Sequence, residues 1–113
     1  MTVLFVDSDG PPLGSEADAV DLIGHAFGEQ ASTIVVPVER FRPEFFDLRT
    51  RLLGEFAQKL VNYRILLVIL GNIDQYTLAS ESLRAFVHES NRGRHIWFTQ
   101  DRKSFQDRIA TNT

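Results

Sequence analysis

Residues 43–71 read PEFFDLRTRLLGEFAQKLVNYRILLVILG, and two kinds of apolar pattern meet inside them. Phe45, Leu48, Leu52, Leu53, Phe56, Ala57 and Leu60 recur at helical spacing in a stripe about two residues wide, as on a helix lying against a sheet. Pro43 suits a first helical turn, so the spacing predicts one helix from Pro43 to the turn at Asn62-Tyr63-Arg64. From Ile65 to Leu70 every residue is apolar, which marks a strand buried on both faces in the middle of a parallel sheet.

Working outward, the same alternation repeats. Val3 to Val6 is a short strand closed by the turn-rich Asp7-Ser8-Asp9-Gly10-Pro11-Pro12. Ser15 caps a helix over Glu16 to Phe27, with Asp18 completing a capping box and Gly28 supplying a left-handed stop. Thr33 to Val38 is a β-branched strand whose Pro37 belongs at its end or on an edge. Downstream, Gly71 to Asp74 is a loop, and Ser80 or Ser82 caps a helix with Leu83, Phe86 and Val87 inward. Gly93 ends that helix, His95 to Thr99 forms a fourth strand, and Arg102 to Ile109 forms a last amphipathic helix before a frayed tail, Ala110 to Thr113. The expected fold is one α/β domain, residues 1–113, with about four strands in a mainly parallel sheet and about four helices.

Composition narrows the function classes. With 43% apolar residues, 24% charged and nine Phe, the chain has the material for a core and does not read as disordered. A net charge of −3 without clustered Lys and Arg gives no hold on phosphate backbones, so nucleic acid is not an expected partner. The chain has no cysteine, which excludes disulfides, thiol catalysis and thiolate metal sites. Its longest strictly apolar run, Ile65 to Leu70, is far short of the roughly 20 residues that span a bilayer. No basic region precedes an apolar stretch at the N-terminus, so the expectation is a cytoplasmic protein without a membrane partner.

Three segments, DAVDLIG (Asp18 to Gly24), FFDLRTRLLGEFAQKLVNYR (Phe45 to Arg64) and ESNRGRHIWF (Glu89 to Phe98), resemble a family of small bacterial proteins known as domain-of-unknown-function family 4180. That resemblance implies no substrate. Leu52 to Glu55 reads LLGE, and Gly71-Asn72 stands where the family usually has Gly-Asp. More distantly, the element order is similar to the STAS domains, which act by binding a partner protein and carry a phosphorylatable serine after an aspartate at a strand-to-helix junction. Here Asp47 is followed by Leu48, so a switch of that kind would have to use Thr50.

Several residue sets are candidates for chemistry. VLFVDSDG (Val3 to Gly10) resembles the first motif of haloacid-dehalogenase-type phosphatases, which implies Asp7 as nucleophile and Asp9 as its acid partner with Mg²⁺. The rest of that set is missing, since strand two ends in Val38-Glu39 without a phosphate-holding Ser or Thr and no lysine follows strand three. Topology would bring Asp7, Asp9, Glu39, Asn72, Asp74 and Asp101 to the carboxyl edge of the sheet, where they would either hold a ligand or a cation or cap helices. Asp47, Arg51, Glu55 and Lys59 fall at successive i,i+4 positions, a charge ladder on an exposed helix face. Gly54 costs the helix about 1 kcal/mol relative to alanine, which a close contact from helix three, another strand or a symmetry mate would explain.

In Glu89-Ser90-Asn91-Arg92-Gly93-Arg94-His95, Glu89, Asn91 and Arg92 either cap a helix end, with Gly93 left-handed, or contact a partner. His25, His88 and His95 lie on different elements without metal-ligand spacing, and no metal or other cofactor is expected. The leading expectation is a non-enzymatic regulatory or protein-interaction module with an unidentified partner or a second copy of itself. The alternatives are a small phosphate- or metal-dependent enzyme using Asp7 and Asp9, and a small-ligand sensor with its pocket at the strand ends.

Overall fold

The computed structural model describes residues 2–111. The four apolar runs become β1 (Val3–Phe5), β2 (Thr33–Pro37), β3 (Leu66–Leu70) and β4 (Ile96–Thr99), which lie side by side in chain order, every pair parallel. Five α-helices join or follow them: α1 (Glu16–Gly28), α2 (Leu52–Asn62), α3 (Asp74–Thr77), α4 (Glu81–Asn91) and α5 (Arg102–Thr111). Pro37 closes β2, where its missing N–H leaves no gap in the ladder.

Side-chain alternation divides the core in two. Ile34, Val36, Leu67, Ile69, Ile96 and Phe98 face the buried stripes of α1 and α2 and Leu83 of α4. Val35, Val68 and Trp97 point the other way and meet Phe105 of α5. Strands laid down in chain order with right-handed crossovers put every connecting helix on one face. Only α5, which follows the last strand, closes the opposite face, so β3 and β4 send the chain to different sides of the sheet.

The deciding stretch departs from the single helix that its periodicity predicts. Pro43–Phe46 and Leu48–Thr50 form two 3-10 turns, Arg51 takes a left-handed conformation at φ 65°, and α2 begins only at Leu52. The cause is local competition from polar side chains. Asp47 Oδ1 accepts the Arg49 N–H at 3.1 Å, while the Thr50 hydroxyl donates toward the carbonyls of Asp47 and Glu44 and accepts the Leu52 N–H at 3.2 Å. The segment is nevertheless anchored, because Phe45 and Phe46 are buried, Phe45 packs edge-on against Phe56 of α2, and Phe41 stacks on Phe45.

Other boundaries shift for similar reasons. The Ser15–Asp18 capping box forms as predicted, but α1 runs through Gly28, and the left-handed residue beyond it is Gln30 at φ 56°. That reversal returns the Ala31 N–H to Ala26 O at 2.7 Å and sets Ala31 into the core. Gly93 is not left-handed either, and α4 ends on Arg92 with ordinary helical angles. The short α3 occupies part of the predicted loop after β3, and Ser80, rather than Ser82, caps α4. Helix α5 extends to Thr111, and the last two residues of the expected frayed tail lie outside the described residues.

Candidate functional site

The loop after β1 is organised around a cation. Arg40 donates from its guanidinium to the main-chain carbonyls of Asp7 at 2.8 Å, Asp9 at 3.2 Å and Pro11 at 3.3 Å. Leu13 pairs with Phe41 in an isolated parallel bridge, which holds the loop's far end beside the same segment. Gly10 is required here, because at φ +145° an added Cβ would lie 2.7 Å from the Arg40 Cζ. Asp7 and Asp9 are exposed, and it is their carbonyls, rather than their carboxylates, that converge.

The remaining carboxyl-edge candidates serve their own local elements or stand apart. Asn72 accepts the Asp74 N–H at 2.8 Å, and Asp101 accepts the Ser104 N–H at 2.8 Å at the start of α5. The hydrogen bonds from Ser104 hold the Asp101 carboxyl below its ordinary pKa. Glu39 is exposed on a 3-10 turn over Val38–Arg40. Among the described residues no group of three or more His, Asp or Glu is placed to hold a metal ion.

The charge ladder expected along α2 does not form, because Asp47 and Arg51 precede the helix. Asp47 makes a two-point ion pair with Arg49, and hydrogen bonding from Arg49 lowers its pKa. Lys59 reaches Glu16 of α1 instead, at 3.9 Å, a half-exposed pair that adds little stability. Thr50, the one residue available for a phosphoswitch, has its hydroxyl in the turn preceding α2.

The polar segment between α4 and β4 proves to be a fastening. In the ladder, Leu67 N–H bonds His95 O and Gly71 N–H bonds Thr99 O, so the backbone of Phe98 faces the sheet's open edge. Asn91 Oδ1 accepts that outward Phe98 N–H at 2.7 Å. Arg108 of α5 donates to the Asn91 carbonyl and stacks on Trp97 at 4.0 Å, and Trp97 Nε1 donates to Gly93 O at 2.9 Å. These contacts tie α5 to α4 around the edge of β4. Asn91, a partner-contact candidate by sequence, thus has an internal role, whereas Glu89 and Arg92 are exposed and pair loosely at 3.5 Å.

Clefts among the described residues bear on these candidates. One of about 640 Å³ lies between the 3-10 turns and the start of α4, beside the stacked rings of Phe46 and Tyr76. A second, about 440 Å³, runs between α2 and α4. Its walls are Gly54, Ala57, Gln58 and Val61 on α2, facing Phe86, Glu89, Ser90 and Gly93 at the same i, i+3, i+4, i+7 spacing, with Ile96 among the floor residues. This groove joins two sequence candidates, Gly54 and Glu89. Among the described residues the close contact expected at Gly54 does not form, since nothing would lie within 4 Å of an added Cβ. A third cleft, about 410 Å³, opens at the carboxyl ends of β3 and β4.

Sequence reasoning missed the anchoring role of Arg40 and the roles of Tyr76, Phe86 and Thr99. Phe86 was legible as inward-facing on its helix, but a groove depends on the spacing of two helices distant in sequence. Arg40 carried no local signal, because its acceptors are main-chain carbonyls about thirty residues upstream.

The architecture defines a small α/β module with a four-stranded parallel sheet wound in one direction. The chain belongs to the family described as Domain of unknown function (DUF4180), whose model matches residues 1–109. No curated protein and no solved structure matches it. The wider likeness to STAS domains rests on element order alone. Among the described residues no helix is long and apolar enough to cross a membrane.

Proposed function

We propose that the chain is a non-catalytic protein-interaction module, working in the cytoplasm, that receives a helix of a protein partner in the groove between α2 and α4. The observation that carries this reading is the groove itself. A helical ridge on α2 faces Phe86, Glu89 and Ser90 of α4 and Gly93 in the turn after it, with Ile96 among the floor residues, and a partner helix with an apolar stripe fits such a surface. Gly54 supports it further: a glycine in the first turn of α2 with open space beside it lets another backbone come close. The absence of cysteine agrees with a reducing compartment.

The substitution Gly54→Trp tests the reading, because the site is open and its helical backbone admits a side chain. Affinity purification of tagged wild type and variant from native cells, compared quantitatively, is expected to show a protein retained by the wild type and lost from the variant. Circular dichroism must show the variant folded. Identical retained sets from the two proteins would overturn the proposal, and loss of self-association alone would reassign the groove to a second copy of this chain.

A further inference from the structure

The cleft at the ends of β3 and β4 occupies a distinctive place in the topology. Ligands of parallel sheets collect at strand carboxyl ends where neighbouring strands send the chain to opposite faces, because the diverging loops leave a crevice. In this sheet the chain leaves β3 toward α3 and α4 on one face and leaves β4 toward α5 on the other. The third cleft lies at that divergence, lined by residues that follow β3 and by Thr99, Gln100 and Ser104. Gly71 shapes its rim at φ +136°, where an added Cβ would press on Val38 at 3.1 Å.

A second observation is independent of the topology. Thr99, only 8% exposed, lines this cleft, and its Oγ1 is buried with no hydrogen-bond partner among the described residues. A buried hydroxyl without a partner lowers stability, and valine would fill nearly the same volume without that loss. Such a group calls for a reason, and a ligand polar atom within reach supplies one.

The walls specify the chemistry of that ligand. Asp74 brings a carboxylate, and Arg108, held against Trp97 and the Asn91 carbonyl, brings a positive charge in a fixed position. Thr99 and Ser104 line the same cleft, the Thr99 hydroxyl buried at its wall, together with the apolar side chains of Ile73, Val87 and Phe98. One acid, one base, hydroxyls and an apolar surface match a molecule carrying both charges and a hydrocarbon side chain. We infer that this cleft binds a small zwitterion of the free amino-acid class with an apolar side chain. The site is separate from the α2–α4 groove and stands whether or not that groove binds a partner.

Calorimetric and thermal-shift titration of the full chain with L-leucine, N-acetyl-L-leucine and isoamylamine tests the inference. L-leucine at millimolar concentration is expected to raise the melting temperature by an amount that increases with the logarithm of its concentration above Kd, and the two analogues, each lacking one charge, are expected to do so far less. Thr99→Val should weaken leucine binding about tenfold while leaving the unliganded protein at least as stable as the wild type. Asp74→Asn, an exposed change that the fold tolerates, should abolish the advantage of leucine over N-acetyl-leucine. No response to L-leucine overturns the inference, as does undiminished binding by Thr99→Val or equal binding of all three probes. A gain in stability of Thr99→Val with no binding by either protein would reduce the hydroxyl to an internal packing defect.

Discussion

Arg40 and Gly54 illustrate how much single residues decide in this chain. Arg40 gathers three carbonyls of the β1–α1 loop. Arg40→Ala should destabilise the protein by about 1–3 kcal/mol, the range for losing hydrogen bonds to a charged donor. Urea denaturation measures that change, and amide exchange should accelerate across residues 7–10 before it does elsewhere. Gly54→Ala should do the reverse. With open space at the site, the helix gains about 1 kcal/mol from reduced backbone entropy loss, readable as a higher urea midpoint at unchanged m-value. A destabilised Gly54→Ala would mean that the site is more crowded than its geometry indicates.

At the scale of elements, termini and edges carry the specificity. Asn91→Ala would leave the outward N–H of Phe98 without its side-chain acceptor on a half-buried edge, at a cost of about 1–3 kcal/mol by equilibrium unfolding. The first turn of α1 adds an acid-sensitive contribution. Burial pushes the Asp18 carboxyl upward, but hydrogen bonds from the Ser15 and Gly14 N–H groups and the Ser15 hydroxyl, with the Arg42 charge, outweigh it and leave the pKa below its ordinary 3.8. The folded state therefore holds this proton less tightly than the unfolded one. Its stabilising contribution is complete above the ordinary carboxylate pKa and is lost as pH falls through the lower, folded value. Chemical denaturation from pH 6 to about 2 should show Asp18→Asn flattening the acid limb and lowering stability at neutral pH, since it removes the charged cap.

The element scale also separates what the sequence made legible from what it concealed. Strands stood out because Ile65 to Leu70 and Ile96 to Phe98 are apolar without interruption, and Ser15 with Asp18 announced a cap by local chemistry alone. The stripe from Phe45 to Leu60 was genuine burial, yet it concealed two 3-10 turns. Phe45 and Phe46 must both be inside, and the side chains of Asp47 and Thr50 offer the backbone hydrogen bonds that a continuous helix would have taken. Periodicity reports which residues are buried. It does not report which backbone conformation buries them when Asp and Thr compete for the main chain. Candidate sites fared unevenly for the same reason: Gly54 and Glu89 fall on one groove, whereas Asn91, Asp101 and Thr50 serve caps and turns that only the folded geometry reveals.

For the whole molecule, strand order governs what remains available. Winding the sheet in chain order places α1, α2 and α4 on one face and leaves α5 alone on the other. Helix α1 packs along α2, while α4 stands off from α2 and opens the groove over the start of β4. The carboxylates that the topology suggested would gather do not form a metal-holding group among the described residues.

The account's central claim, recognition through the α2–α4 groove, is tested most directly by placing a photo-crosslinking amino acid at Gln58 on the groove wall, with Gln106 on the exposed side of α5 as the control. Irradiation in native cells is predicted to give a discrete adduct from position 58, none from 106, and loss of the position-58 adduct when Gly54→Trp is added. Equal adducts from both positions, or none from position 58, would contradict it.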